Sequence, residues 1–371
     1  MKQILVRAPN WIGDQILAYP FFYYLRKAFP KAVITSACVE WVKEIQFKKQ
    51  VDEVFVLPKS ATASIKDRLA AVEEGARLLR EKKIYYDLAI SLPNSLSTAW
   101  FLYRSGAIRR RGYRGDGRRL FLNEALAWDP SPSRHRAQAF LDLLPEPYKP
   151  KLPASEFWGI LPDNELDPGI PGELENFDAA LEWGSSQPRE MVEPPDEPYW
   201  VLAVGATAES RRWPISYFAT LARLVSNELG WRGVIVGGAK EAPLAAQLGR
   251  DPTLKLRDYT AQGPVSGLWK VFKNAKFTVT NESGLAHIAA LCGSFVQIVC
   301  GAADPRRTQP IGPGKVQVAI NPVECWPCER NVCSQEGDRK LACLMGISPE
   351  SVLEEIKRGL GLVKRRRQHE S

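Results

Sequence analysis

The first twenty residues, 1-MKQILVRAPNWIGDQILAYP-20, contain the pattern that decides the fold. An apolar run at 3–7 predicts a buried β-strand. The strand pattern ends at Pro9, and a helix is predicted over 14–28. Asp14 stands where the strand gives way to the helix. Two interpretations are open: Asp14 is a helix N-cap, or it is a general base at the mouth of a cleft.

The alternation of short strands and longer helices continues along the chain and restarts in its second half. Further strands are predicted at 33–38, 53–57, 86–91, 199–206, 233–238, 276–284 and 294–301, and helices at 66–82, 96–104 and 214–229. This order predicts parallel βαβ units in two doubly wound α/β domains. Ligands of such sheets bind beyond the carboxyl ends of the strands. We therefore expect Asp14, the loop 205–213 and the turn 281–284 to face one cleft.

Between the two alternating regions the composition turns acidic and rich in proline and glycine, which is typical of a linker. The predicted division is an N-terminal Rossmann-like domain 1–155, a linker or insertion 156–198, a C-terminal Rossmann-like domain 199–350, and a helix with a basic tail 351–371.

The net charge of +8 is unevenly distributed over the 371 residues. Residues 1–150 carry 25 Lys and Arg against 15 Asp and Glu, whereas 151–198 carry 2 against 12. A basic N-terminal half favours nucleic acid, an acidic membrane surface or a phosphorylated substrate, and an ordinary solvated surface is the alternative. No apolar run approaches the ~20 residues of a membrane-spanning helix. Without a convincing signal peptide either, we expect a cytoplasmic protein with peripheral membrane contact.

Two loops have the composition of a ligand site. In 204-VGATAESRRWPISYF-218 a glycine, the hydroxyls of Thr207 and Ser210 and the guanidinium of Arg211 precede a helix start, which suits a phosphate or diphosphate. In 280-TNESGLAHIAALCG-293 a second helix start follows a strand, and Glu282 can accept from a sugar hydroxyl. The alternatives are a solvated surface loop for the first, and a packed, hydrogen-bonded His287 rather than a catalytic one for the second.

Two further stretches are chemically distinctive. Residues 109–119 hold six arginines, which fit either nucleic acid or a pocket for the phosphates and carboxylates of an acidic substrate. Near the C-terminal end, Cys325, Cys328, Cys333 and Cys343 have partly zinc-like spacing. We expect reduced, packed cysteines, with a structural metal or a redox-sensitive cluster as the alternative.

Together these motifs resemble the ADP-heptose:lipopolysaccharide heptosyltransferases (glycosyltransferase family 9), and the heptosyltransferase II branch in particular. The resemblance rests on APNWIGD (8–14), DLAISLPNS (87–95), RRRGYRGDGRR (109–119), GATAESRRWP (205–214), NESGLAHIAAL (281–291) and the cysteine-containing tail 325–352. It covers nearly the whole chain except the acidic segment. It implies a GT-B architecture, with two Rossmann-like domains facing an interdomain cleft, and an inverting, metal-independent transfer without a cofactor.

The resemblance also implies roles for single residues. Asp14 matches the family's catalytic base, and Asn10 lies in the same corner on the acceptor side. The donor-binding positions are Thr207, Arg211, Glu241, Glu282, Ser283 and Gly284. The predicted acceptor-binding arginines are Arg109, Arg110, Arg111, Arg114, Arg118 and Arg119. This chain has arginine at 211 where the family usually has lysine, and glutamate at 282 where it usually has aspartate.

The implied reaction moves L-glycero-D-manno-heptose from ADP-heptose to heptosyl-Kdo-lipid A, on a monomer at the inner face of the inner membrane. Arg211, Thr207 and helix N-terminal amides would stabilise the departing ADP. Two alternatives remain: a related enzyme with another donor sugar or acceptor, including protein, and a basic nucleic-acid-binding protein. The heptosyltransferase hypothesis, which we favour, includes no nucleic-acid partner.

Overall fold

The computed structural model describes residues 1–62, 64–129, 134–150, 159–160, 166–167, 177–183 and 191–363. The chain forms two compact units: unit 1 comprises Met1–Leu152 with Ala180–Gly184, and unit 2 comprises Pro153–Ala179 with Ser185–Ser371. Most of the predicted linker 156–198, and the basic tail from 364 onward, lie outside the described residues.

Unit 1 contains a six-stranded parallel sheet with helices. Its strands are β1 (Gln3–Arg7), β2 (Val33–Cys38), β3 (Glu53–Val56), β4 (Leu88–Ser91), β5 (Arg109–Tyr113) and β6 (Glu124–Leu126). Its helices are α1 (Ile12–Leu17), α2 (Tyr19–Ala28), α3 (Ile65–Glu81), α4 (Leu96–Arg104), α5 (Arg136–Leu141) and α6 (Ala179–Trp183). The single helix predicted over 14–28 is thus two helices, because Pro20 has no N–H to donate to the preceding turn and the path breaks at Ala18.

The strand order of this sheet is β3-β2-β1-β4-β5-β6. The central strands are buried on both faces, which explains why β1 and β4 are nearly continuous apolar runs. Two strands of this sheet were not predicted. β5 coincides with the arginine stretch, and β6 pairs with it in parallel.

Unit 2 repeats the architecture. Its strands are β7 (Gly159–Ile160), β8 (Leu166–Asp167), β9 (Tyr199–Ala203), β10 (Arg232–Ile235), β11 (Leu256–Asp258), β12 (Thr278–Asn281), β13 (Val296–Cys300) and β14 (Val316–Ile320). Its helices are α7 (Ile215–Leu229), α8 (Ala242–Gly249), α9 (Trp269–Asn274), α10 (Gly284–Leu291), α11 (Pro305–Thr308), α12 (Ala342–Met345) and α13 (Pro349–Gly359). β7 and β8 form a separate antiparallel pair. The C-terminal helix α13 packs into the same core as α7 through Val352, Leu353 and Ile356.

The main sheet of unit 2 has the order β11-β10-β9-β12-β13-β14. In each unit the strand order therefore reverses next to the unit's first long strand, between β1 and β4 in unit 1 and between β9 and β12 in unit 2. Loops that leave the carboxyl ends of these strands diverge and leave a crevice, where open α/β sheets bind ligands. The segments that follow β1, β9 and β12 carry Asp14, Arg211 and Glu282, respectively.

Among the helices in the described part of the chain, none has both the length and the apolar character that crossing a bilayer requires.

Candidate functional site

The corner after β1 is organised by a buried arginine. Arg7 is 5% exposed, and its guanidinium donates to the carbonyl of Ala8 and to the side-chain oxygen of Asn10. The indole N–H of Trp41 donates to the Asn10 carbonyl at 2.6 Å. Burial lowers the pKa of Arg7 to about 10, so it stays charged at neutral pH. Asn10, predicted to bind the acceptor, is thus bonded within the protein through both its side-chain oxygen and its backbone carbonyl.

Asp14 lies in the first turn of α1 and is half-buried. It is not the N-cap, because Trp11 occupies that position; the N-cap interpretation is wrong. The helix N-terminus still favours a negative charge at this place. Asp14 lies beyond the carboxyl end of β1, at the strand-order reversal of unit 1.

The arginine stretch has two kinds of member. Arg109 and Arg111 pair with Glu124 on β6. Arg110 donates to the carbonyls of Ala107 and Phe121, and the buried Arg118 donates to those of Tyr113 and Arg114. Arg114 and Arg119 are exposed, and neither makes an ion pair among the described residues. Four of the six predicted acceptor-binding guanidinium groups are therefore engaged by the protein itself.

In unit 2, one buried amide connects the two candidate loops. Asn281 ends β12 and is fully buried. Its side-chain nitrogen donates to the Val204 carbonyl at 2.7 Å, and its side-chain oxygen accepts from the Trp213 N–H at 2.9 Å. Asn281 thereby fixes both ends of the loop between β9 and α7, next to the turn that carries Glu282. The motif NESG contains Asn281, but its role as a clamp was not predicted.

The loop between those ends is held by its own arginine and by a neighbouring segment. Arg212 donates to the carbonyls of Ala206 at 2.7 Å and Thr207 at 3.1 Å, while the Thr207 residue itself is exposed. Ser210 is 2% exposed, and its hydroxyl donates to the Arg330 carbonyl. Ser210 therefore anchors the loop and does not offer its hydroxyl to an anion, contrary to the sequence interpretation.

Glu241 lies against the start of the same loop. It precedes α8, and its carboxylate accepts from the Gly238 N–H at 2.9 Å. A Cβ at Gly205 would come within 2.5 Å of the Glu241 side chain, and one at Gly237 within 2.7 Å. The glycines thus allow this carboxylate to lie at the carboxyl ends of β9 and β10, where a ribose could be held.

Arg211 and Glu282 meet across the strand-order reversal. Their charged groups are 3.5 Å apart, and the Glu282 side chain is 13% exposed. Burial raises the pKa of Glu282 to about 7, although the charge of Arg211 acts in the opposite direction; Glu329 adds to the rise. The Nε of Arg211 and one carboxylate oxygen of Glu282 are buried without a hydrogen-bond partner in the described structure.

A small pocket lies beside this pair. It is lined by Glu282, Ser283, Ala286, His287, Ile298, Cys300, Pro305, Thr308, Gln309, Pro310 and Val318. His287 is packed as predicted, at 7% exposure, but its Nδ1 has no hydrogen-bond partner among the described residues. Burial lowers the pKa of His287 to about 4, so the ring is neutral at physiological pH. Ser283 and Gly284 begin α10 at the pocket rim.

The raised pKa of Glu282 predicts a pH-dependent stability. Between the ordinary value of 4.5 and about 7, the folded protein keeps a proton that the unfolded chain releases. The free energy of unfolding of the wild type should fall over this window, relative to Glu282→Gln, by about 3 kcal/mol. Urea unfolding of both proteins at several pH values measures the difference. A constant difference from pH 4 to 8 would contradict the raised pKa.

Loss of the Asn281 clamp should destabilise unit 2. Asn281→Ala leaves the Trp213 N–H and the Val204 carbonyl buried and unpaired, so we expect a loss of about 2–4 kcal/mol. Asn274→Ala, at an exposed helix end, serves as control and should change the unfolding free energy by less than about 1 kcal/mol. Chemical denaturation compares the three proteins. Equal stability of the two variants would show that the clamp has no energetic role.

The C-terminal cysteines are free thiols. Burial raises the pKa of Cys343, and the neighbouring Cys328, Cys325 and Cys333 contribute to the rise, which places the four thiols in one region. Within the described residues, no group of three or more His, Cys, Asp or Glu side chains is arranged to hold a metal ion. The metal or redox interpretation of these cysteines remains a prediction.

The two Rossmann-like sheets define a GT-B glycosyltransferase fold, and solved structures share it. The structure of E. coli ADP-heptose LPS heptosyltransferase II has a TM-score of 0.69 at 22% identity, over 98% of this chain and 99% of that one. A family 9 glycosyltransferase from Veillonella parvula has a TM-score of 0.70 at 21% identity, over 97% of each chain.

Residues 75–338 match Glycosyltransferase family 9 (heptosyltransferase), and the chain belongs to this family. The lipooligosaccharide heptosyltransferase 2 of Haemophilus influenzae is 24% identical over 369 residues, covering 95% of this chain and 98% of that protein. The lipopolysaccharide heptosyltransferase 2 of Escherichia coli is 26% identical over 377 residues, covering 95% and 97%. The fold class and the family expected from the motifs are confirmed.

Proposed function

We propose that this protein transfers heptose from ADP-heptose to the inner core of lipopolysaccharide, at the step that adds the second heptose. The proposal is supported by relatives called heptosyltransferase 2 that align over 95% of the chain. The observation in the structure that carries it is the Arg211–Glu282 pair, whose unpartnered atoms lie beside a helix start at the strand-order reversal of unit 2.

Each part of the donor has a suitable group in unit 2. Arg211 and the N–H groups of the loop at Thr207 suit the diphosphate, because cationic and amide donors stabilise the charge that develops on departing ADP. Glu241 suits the hydroxyls of the ribose. Glu282 and the start of α10 at Ser283 and Gly284 suit the sugar. A carboxyl group with a pKa near 7 can accept from a hydroxyl when ionised and donate when protonated.

On the acceptor side, Asp14 would act as the general base. It would remove the proton of the acceptor hydroxyl while the oxygen attacks the anomeric carbon, and the bond from that carbon to the ADP oxygen would break with inversion. Direct contact between the arginine stretch and acceptor anions would rest on Arg114 and Arg119, since the other four guanidinium groups are engaged.

The substrate assignment is tested with defined acceptors. Purified protein is incubated with ADP-heptose and Kdo-bearing lipid A, with and without the first heptose, and the products are analysed by mass spectrometry. Transfer only to the heptosylated acceptor is expected, with an inverted anomeric linkage and undiminished turnover in EDTA. Absence of turnover on either acceptor would contradict the proposal and favour another donor sugar or acceptor.

A further inference from the structure

An open groove with aromatic walls lies on the surface of unit 1. It is lined by Leu69, Ala70, Glu73, Leu96, Trp100 and Phe121, and we call it the aromatic groove. The rings of Trp100 and Phe121 meet at 5.0 Å, and that of Tyr103 lies 5.7 Å from Phe121. Tyr103 is 46% exposed. Next to Phe121, Leu120 is 82% exposed, so large apolar side chains are presented together to solvent.

Cationic side chains surround these apolar groups. The guanidinium of Arg104 lies 5.5 Å from the Trp100 ring centre, and that of Arg110 lies 5.6 Å from Tyr103. The acid in the groove, Glu73, is neutralised by two hydrogen bonds from the Arg104 Nε, at 2.8 and 2.9 Å. The exposed Arg114 and Arg119 belong to the segment that leads to Leu120.

The buried Arg118 closes the turn that precedes Arg119 and Leu120. It is 6% exposed and donates back to the carbonyls of Tyr113 and Arg114, which closes the turn between them. A side chain at Gly115 would come within 2.7 Å of this guanidinium. The acid of the turn, Asp116, lies 3.4 Å from Arg118. Arg118 is thus turned into the protein, whereas Asp116, Arg119 and Leu120 are exposed.

We propose that the aromatic groove, with Leu120, Arg114 and Arg119, is the surface by which unit 1 docks onto an anionic lipid bilayer. Exposed aromatic and aliphatic side chains with arginines beside them match the interfacial region of a membrane, where rings lie at headgroup depth and cations meet anionic phospholipids. An exposed apolar cluster of this kind on a soluble unit marks an interaction site.

The position of this surface also suits the reaction. In a parallel sheet all carboxyl ends lie at one edge, so the segments that follow β1, β4 and β5 are neighbours there. Asp14 follows β1, Leu96 begins the helix after β4, and the turn of Arg114 and Arg119 follows β5. The end of the surface at Leu96 and Arg114 therefore shares the edge that carries Asp14, whereas Trp100 and Tyr103 lie further along α4. The purpose of the docking rests on the proposed function, but its physical basis does not.

Cosedimentation of the full-length protein with vesicles tests the proposal without donor or acceptor. The vesicles are phosphatidylcholine alone, or phosphatidylcholine with an equal part of phosphatidylglycerol. The wild type should bind the anionic vesicles much more strongly. The double variant Arg114→Gln, Arg119→Gln should lower the partition coefficient roughly 30-fold, and Leu120→Ser roughly tenfold.

Matched controls lie at the opposite edge of the same sheet. The double variant Lys31→Gln, Lys83→Gln removes two exposed cations that precede β2 and β4, and Tyr85→Ser removes an 84% exposed ring. Both controls should bind like the wild type. Equal losses in test and control variants, or wild-type binding by the test variants, would overturn the proposal. Circular dichroism verifies that each variant is folded.

The failure of docking can be distinguished from a failure of the proposed function. With a water-soluble, deacylated acceptor, Leu120→Ser should retain wild-type transfer while losing vesicle binding. Vesicle binding by the wild type without turnover on any acceptor would leave the docking surface in place and refute the heptosyl transfer.

Discussion

Replacing Asp14 by asparagine should slow heptosyl transfer by about 10²–10⁴-fold, because the variant cannot accept the proton of the attacking hydroxyl. The substitution keeps the size of the side chain and its place in the first turn of α1. Binding of ADP, which we assign to unit 2, should be unchanged. Initial rates at saturating substrates and calorimetric titration with ADP measure the two effects separately.

A matched control exists on another helix of unit 1. Asp67 holds the same third position of α3 that Asp14 holds in α1. Asp67→Asn should therefore have nearly wild-type transfer. Turnover of Asp14→Asn close to that of the control would refute the assignment of Asp14 as base, and a parallel loss of ADP affinity would indicate a structural effect instead.

Removal of the Arg211 charge should weaken binding of ADP-heptose by about 10–100-fold, which is the usual contribution of hydrogen bonds to a charged group. Arg211→Gln also removes the partner of Glu282, so the pKa of that carboxyl should rise further above 7. Arg211→Lys keeps the positive charge but loses the planar fork, and it should retain most of the affinity.

The same titrations include Arg223→Gln as control, since Arg223 forms an ion pair with Asp251 at 2.9 Å on another face of unit 2. Its affinity for the donor should be that of the wild type. Unchanged affinity of Arg211→Gln would contradict a role in diphosphate binding. A loss shared by Arg211→Lys would show that the fork geometry, and not the charge alone, is required.

The sequence predicted the architecture well where strands are apolar on both faces. β1, β4, β9 and β13 were recognised because burial on both faces of a parallel sheet favours a continuous apolar run, but β14, which is buried over VQVA, was missed. β5 was not recognised, since its arginines resemble a surface stretch. Glu124 lies on β6, and only the pairing of the two strands shows that this one carboxylate bonds both Arg109 and Arg111. Strand order, too, depends on tertiary packing.

The sequence identified residues of the candidate site, but it did not predict their distances and contacts. Loop composition was enough to single out Arg211 and Glu282, and the fold brings them within 3.5 Å of each other. The structural roles of the supporting residues were missed, and Ser210 was wrongly assigned to an anion. Arg7 had a signal, as a lone charge in an apolar strand, whereas Asn281 and Ser210 act on backbone groups distant in the sequence. Such contacts leave no local pattern. The catalytic role of Asp14 remains a prediction.

Because four of the six arginines in 109–119 are bonded within the protein, the binding of a polyanion to this stretch should depend less on ionic strength than the sequence suggests. A guanidinium group that is already bonded within the protein is not available to a phosphate, so Arg114 and Arg119 are the members that can neutralise phosphates and release the counterions of the nucleic acid. For a double-stranded nucleic acid on this stretch, the logarithm of the association constant would change with the logarithm of salt concentration with a slope of about −2, not the about −5 that six arginines suggest. A stretch that reads along the chain as six phosphate-binding cations offers two exposed guanidinium groups for that purpose in the folded protein.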